Sequence, residues 1–129
     1  MTIDLTYLTY TVILALVQVG LQSSAYKWQV GNAYTVGPRD DDLQPSGMVG
    51  RFHRAYFNLL ESIALFAIVV LVAHVAGRAN EWTAIGAQVY FWGRVAYLPA
   101  YVIGVPWLRT FIWQISMIGL VIIIYHILF

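Results

Sequence analysis

Four stretches of about 20 predominantly apolar residues, 5–26, 55–76, 83–103 and 110–129, take up most of this chain. That is the length a helix needs to cross the hydrocarbon core of a bilayer, where each backbone polar group must be satisfied inside its own segment. In 129 residues there is then room for four spanning helices and their connections, and for no second domain of ordinary size. Composition agrees: 60% of the chain is apolar and only 10% is charged, against roughly 25% charged in soluble domains. The sequence therefore predicts an all-α, multi-pass integral membrane protein, a single antiparallel four-helix transmembrane bundle over residues 1–129. The first stretch has no basic residue ahead of it, only Asp4, and its apolar run is long. It reads as a spanning helix rather than a cleaved signal.

The connections are punctuated by glycine and proline. Residues 31–50 hold Pro38, Pro45 and the run Arg39-Asp40-Asp41-Asp42, and read as a long solvated loop, paired with Arg51 or closing over a cleft. Gly77 to Glu81 is a short turn suited to antiparallel neighbours. Pro106 cannot continue the third helix, so the chain turns again at 104–108. Lys27, Arg39, Arg51, Arg54 and Arg109 fall on the long-loop side, and only Arg78 on the other. The excess of Lys and Arg predicts a cytoplasmic loop 27–51 and both termini on the outer side. A net charge of +1 argues against nucleic acid as a partner. With no cysteine there is no disulfide framework, thiolate metal site or cysteine nucleophile. His53, His74 and His126 have no carboxylate spacing that would hold a metal, so no metal is expected.

One charge does not belong. Arg94 sits in the middle of the third stretch, where an arginine costs at least about 2.5–3.5 kcal/mol. It should face the bundle and find a partner, and the acid inside another helix is Glu61. Arg54, Asn58 and Glu61 are spaced four and three residues apart, as are Tyr90, Arg94, Tyr97 and Tyr101, so each set forms one helical stripe. Two such stripes on antiparallel neighbours describe a polar cleft opening toward the cytoplasm. Arg51, Arg54, Arg94 and Arg109 outnumber Glu61, and guanidinium pairs carboxylates in bidentate fashion. The expected guest is small, zwitterionic and net negative. A buried pair that only fixes helix register, flanked by interfacial tyrosines, is the plainer reading. A transporter or channel is a third, though no broken midplane helix or inverted repeat is visible.

RAYFNLLE in the second helix, then GRVAYLPAY in the third and Arg109 after a short turn, resemble the MAPEG family, the membrane-associated proteins of eicosanoid and glutathione metabolism. The motifs cover residues 51–114. The resemblance implies a homotrimer with glutathione bound between subunits at the cytoplasmic side, and a lipophilic substrate arriving from the membrane lipids. It places Arg54, Asn58, Glu61, Arg94, Tyr97, Tyr101 and Trp113 at the glutathione site. Arg109 would stabilise the thiolate, with Thr110 beside it as a hydroxyl donor. The implied activity is a glutathione transferase or peroxidase acting on lipophilic electrophiles or hydroperoxides, as in detoxification. The alternative is a non-catalytic lipid-binding or scaffolding protein of the same fold. A bacterial member would sit in the inner membrane. Phe57 stands where several relatives carry a further basic residue, and only Lys27 is available as a basic grip from the first helix.

Overall fold

The computed structural model describes residues 1–129. It is entirely helical: α1 (Ile3–Val30), a short α2 (Asn32–Val36), α3 (Gly47–Val75), α4 (Glu81–Ile103) and α5 (Pro106–Leu128). By length and composition α1, α3 and α5 can each cross a membrane. The 23-residue α4 matches α5 in length, but Gln88 and Arg94 interrupt its apolar run.

Contacts between helices give their directions. Gln22 meets His53 and Gln29 meets Ser46, so α1 and α3 are antiparallel. Arg51 meets Val102 and Ser62 meets Tyr90, which sets α3 against α4. Gly86 meets Gly119 and Gly93 meets Ser116, which sets α4 against α5. Asp4 meets Thr83, so α1 and α4 run the same way. The four long helices thus alternate in direction.

Helix ends follow local chemistry. Thr2 caps α1 by accepting from the Leu5 amide. Asn80 and Thr83 form a reciprocal capping box on α4. At its other end Gly104 turns left-handed at φ 83°, and Pro106 opens α5, where its missing N–H costs nothing. The Ser46 side chain makes no cap bond to α3; Ser46 is held instead by Gln29 of α1 through contacts of 3.1–3.2 Å. The helices outrun the apolar stretches: α1 continues to Val30, and α3 starts at Gly47 rather than at 55. Beyond the hydrocarbon, polar residues still support a helix, so Arg51 and Arg54 lie on helical turns and not in a loop.

The interior is thin, with 23 of 129 residues buried and large apolar side chains over much of the outer surface, as an embedded bundle requires. Its centre is Phe66, Val70, Ala73, Ala87, Tyr90, Leu120 and Ile123, with Phe66 stacked on Tyr90 at 4.1 Å between ring centres. Between α4 and α5 the backbones nearly touch. A Cβ on Gly119 would lie 2.5 Å from the Gly86 carbonyl oxygen, and one on Gly93 2.9 Å from the Ser116 side chain. Small residues at such seams gain van der Waals contact where lipid supplies no hydrophobic drive.

Candidate functional site

The left-handed turn at Gly104 brings the end of α4, the start of α5 and the start of α3 together. Arg51 donates to the Val102 carbonyl at 3.0 Å, and its guanidinium packs so closely on Gly104 that a Cβ there would lie 3.1 Å from it. Arg54 donates through Nε to the Tyr101 hydroxyl at 3.1 Å. The Arg109 guanidinium lies 4.8 Å from the centre of the same tyrosine ring. One turn deeper, Tyr97 packs against Tyr101 at 5.7 Å, and Arg94 stacks on Tyr97 at 4.4 Å. These residues form a ladder of guanidinium groups on aromatic faces, descending from a wet rim to a dry interior. Arg54 is exposed, Arg109 and Tyr101 are half-buried, Tyr97 is 3% exposed and Arg94 is fully enclosed. Cation–π contact stabilises such pairs more strongly as they lose water.

Arg54, Arg94, Tyr97, Tyr101 and Arg109 are thereby brought together as the sequence predicts, but the expected Arg94–Glu61 pair is not made. All three Arg94 guanidinium nitrogens lack a hydrogen-bond partner, and Glu61 is exposed. The reason is rotation of α3. Its buried face is Ala55, Leu59, Ser62, Phe66, Val70 and Ala73. Arg54, Asn58 and Glu61 precede Ala55, Leu59 and Ser62 by one position, about 100° round the helix. At the level where Glu61 was expected to face α4, Ser62 does so and bonds the Tyr90 hydroxyl at 2.8 Å. Arg54 reaches back to α4 only because its side chain is long. Asn58 stays half-buried with its Oδ1 unpartnered.

Thr110 and Trp113 lie apart from the ladder. Thr110 donates to the Pro106 carbonyl of its own helix at 3.3 Å and lines a shallow outward groove of about 410 Å³ with Trp107 and Phe111. Trp113 is 38% exposed, and its carbonyl accepts from Ser116 at 2.7 Å. Neither makes a hydrogen bond or ring contact with the arginines.

A separate cavity lies on the other side of α3's first turns. About 580 Å³ lies between the end of α1, the 31–46 segment and the start of α3, lined by Gln22, Tyr26, Lys27, Tyr34, Arg39 and His53 among others. Its roof is tied down: the Tyr26 hydroxyl donates to the Leu43 carbonyl, and the Leu43 amide donates to the Tyr34 hydroxyl at 2.7 Å. Arg39 donates twice to the Thr35 carbonyl, at 3.1 and 2.9 Å, and lies over the Tyr26 ring. The expected link from this segment to Arg51 is therefore absent, because Arg51 is spent on Val102. The segment is expected from sequence to be a solvated loop, paired with Arg51 or closing over a cleft; Tyr26 before it and Tyr34 within it were the signal that it folds back on α1.

The model of the MAPEG family matches residues 7–129, nearly the whole chain. No curated protein matches it.

Proposed function

This chain belongs to the MAPEG family, and on that premise we propose that it is a membrane transferase or peroxidase that activates the glutathione thiol against lipophilic electrophiles or hydroperoxides. The observation that carries this reading is the ladder of Arg54, Tyr101, Arg109, Tyr97 and Arg94, in which guanidinium groups lie on aromatic rings and none meets a carboxylate. Glutathione, as cosubstrate, supplies two carboxylates, an ammonium and the reacting sulfur. The residues present suit it. Arg54 spends Nε on Tyr101, and its other N–H groups remain available for a ligand carboxylate at the rim. Glu61 offers an exposed carboxylate for the ammonium. Arg109, half-buried at the rim, is the cation that would hold the sulfur as thiolate, since nearby positive charge lowers a thiol pKa from its ordinary value of about 8.5.

The site is a wall rather than a closed pocket. Glu61 lies fourteen residues into the 29-residue α3, about 20 Å from its start, and it is exposed there. An acid facing lipid at that depth is costly, so a second protein surface must cover it. A neighbouring subunit of a homotrimer does so in this reading, enclosing the ligand between chains. Thr110 and Trp113, on the outward side of α5, then belong to the surface that the neighbour meets. α4 acts as the fourth span, and the arginine end faces the cytoplasm. One specific observation favours the non-catalytic, lipid-binding alternative: the Thr110 hydroxyl is already spent on its own helix.

Purified protein in detergent should consume a lipophilic electrophile or a lipid hydroperoxide in proportion to added glutathione, and Arg109→Ala should abolish that turnover while leaving the oligomer intact. Glutathione binding without turnover on either substrate class points to the lipid-binding role.

A further inference from the structure

Three side chains on three different helices carry buried polar atoms without partners: Gln18 Oε1 on α1, Asn58 Oδ1 on α3, and Nε, Nη1 and Nη2 of Arg94 on α4. Gln18 is 3% exposed and Arg94 is not exposed at all. Helix register puts them at one level. Gln22 meets His53, so four residues back along α1 Gln18 stands opposite 57–58 of the antiparallel α3. Ser62 meets Tyr90, so four residues back along α3 Asn58 stands opposite Arg94. The layer therefore holds two unpartnered amide carbonyl oxygens and a guanidinium whose five N–H groups can only donate. One face of that guanidinium is covered by Tyr97, which leaves its edge for hydrogen bonds.

Buried polar groups in folded proteins are almost always paired, because an unmet donor or acceptor forfeits its hydration for nothing. A guanidinium inside the bilayer feels this most. Here acceptors and donor are chemically complementary and level with one another, and no carboxylate is hydrogen-bonded to the guanidinium. We propose that Gln18 and Asn58 are the partners of Arg94, making Gln18 a positioning residue that clasps Arg94 from α1. Small side-chain rotations close the clasp. Its role is to accept from the Arg94 N–H groups, which keeps the guanidinium solvated by protein and fixed under Tyr97. Tyr97 in turn packs on Tyr101, the tyrosine that orients Arg54 and Arg109. Gln18 thus governs the rim through Arg94 and Tyr97 without touching Arg54, Tyr101 or Arg109. The clasp is independent of whether the cleft binds glutathione.

The test uses charge. In the full-length protein, Gln18→Leu and Gln18→Glu are each made with Arg94 present and with Arg94→Leu, and Tm is followed in detergent. With Arg94 present, Gln18→Leu should lower Tm by several degrees, whereas Gln18→Glu should hold or raise it by forming an ion pair. With Arg94→Leu, Gln18→Leu should cost almost nothing and Gln18→Glu should become strongly destabilising. A packing role cannot produce that change of sign. Additive shifts, with Gln18→Glu equally harmful in both backgrounds, would overturn the clasp. Should Arg94→Leu not fold, hydrogen exchange at Arg94 Nε, read by nitrogen-15 NMR, decides the matter. Gln18→Leu should accelerate it, as should Asn58→Leu, and unchanged exchange in both contradicts the proposal.

Discussion

Where α1 and α4 begin, polar groups satisfy one another: Asn80 accepts from the Thr83 amide, Thr83 Oγ1 accepts from the Asn80 amide, and the Thr83 hydroxyl contacts the Asp4 carboxylate at 3.4 Å. At the opposite end Arg54 donates to the Tyr101 hydroxyl and Arg109 lies over the Tyr101 ring, and cationic N–H groups are left over. The first arrangement is a joint, complete within the chain. The second is incomplete by itself and keeps its donors for something else. Structure is secured at one end, in dry backbone contact along α4 and α5, so that charge can remain unneutralised at the other.

Breaking the secured part should have the largest effect. Gly119→Leu puts side-chain atoms where the Gly86 carbonyl and Tyr90 backbone already stand. It should cost more than the about 1–3 kcal/mol usual for overpacking, seen as loss of folded protein or a large fall in Tm. Arg54→Ala probes the other end. It should leave Tm nearly unchanged yet weaken glutathione binding by roughly 10- to 100-fold in titration calorimetry, as loss of a charged hydrogen bond of about 1.5–3 kcal/mol implies. If Arg54→Ala unfolds the protein instead, the two ends do not divide their roles in this way. Gly104→Ala tests the link between them. A left-handed residue with a Cβ costs about 1–2 kcal/mol, and this one also crowds Arg51. Its effect should appear both in Tm and in glutathione affinity. Thr83→Val should be the mildest, about 1 kcal/mol from the lost cap in thermal unfolding, with glutathione affinity unchanged.

The contrast also explains what could be read from the residues alone. The Tyr90–Tyr101 stripe and the clustering of arginines at one end were visible, because spacing along a helix fixes relative angles. Absolute rotation about the helix axis was not. α3 is apolar around most of its circumference, so nothing in its pattern chose Ala55-Leu59-Ser62 over Arg54-Asn58-Glu61 as the inward face. Charge attraction suggested the second; packing against Tyr90 selected the first. Gln18 escaped notice as a single amide in an oily helix. Its place in the seven-residue series Asp4, Thr11, Gln18, all three buried, was the available signal. The extra turns of α1 and α3 were equally hidden, since hydropathy marks where a membrane ends and not where a helix does.

The most direct test of the central claim is the ultraviolet absorbance of the thiolate on mixing glutathione with the purified protein at neutral pH. A saturable thiolate signal in the natural protein, absent in Arg109→Ala although glutathione still binds, is the predicted result. A signal that survives Arg109→Ala unchanged, or none at millimolar glutathione, would contradict the assignment of this arginine end as a thiol-activating site.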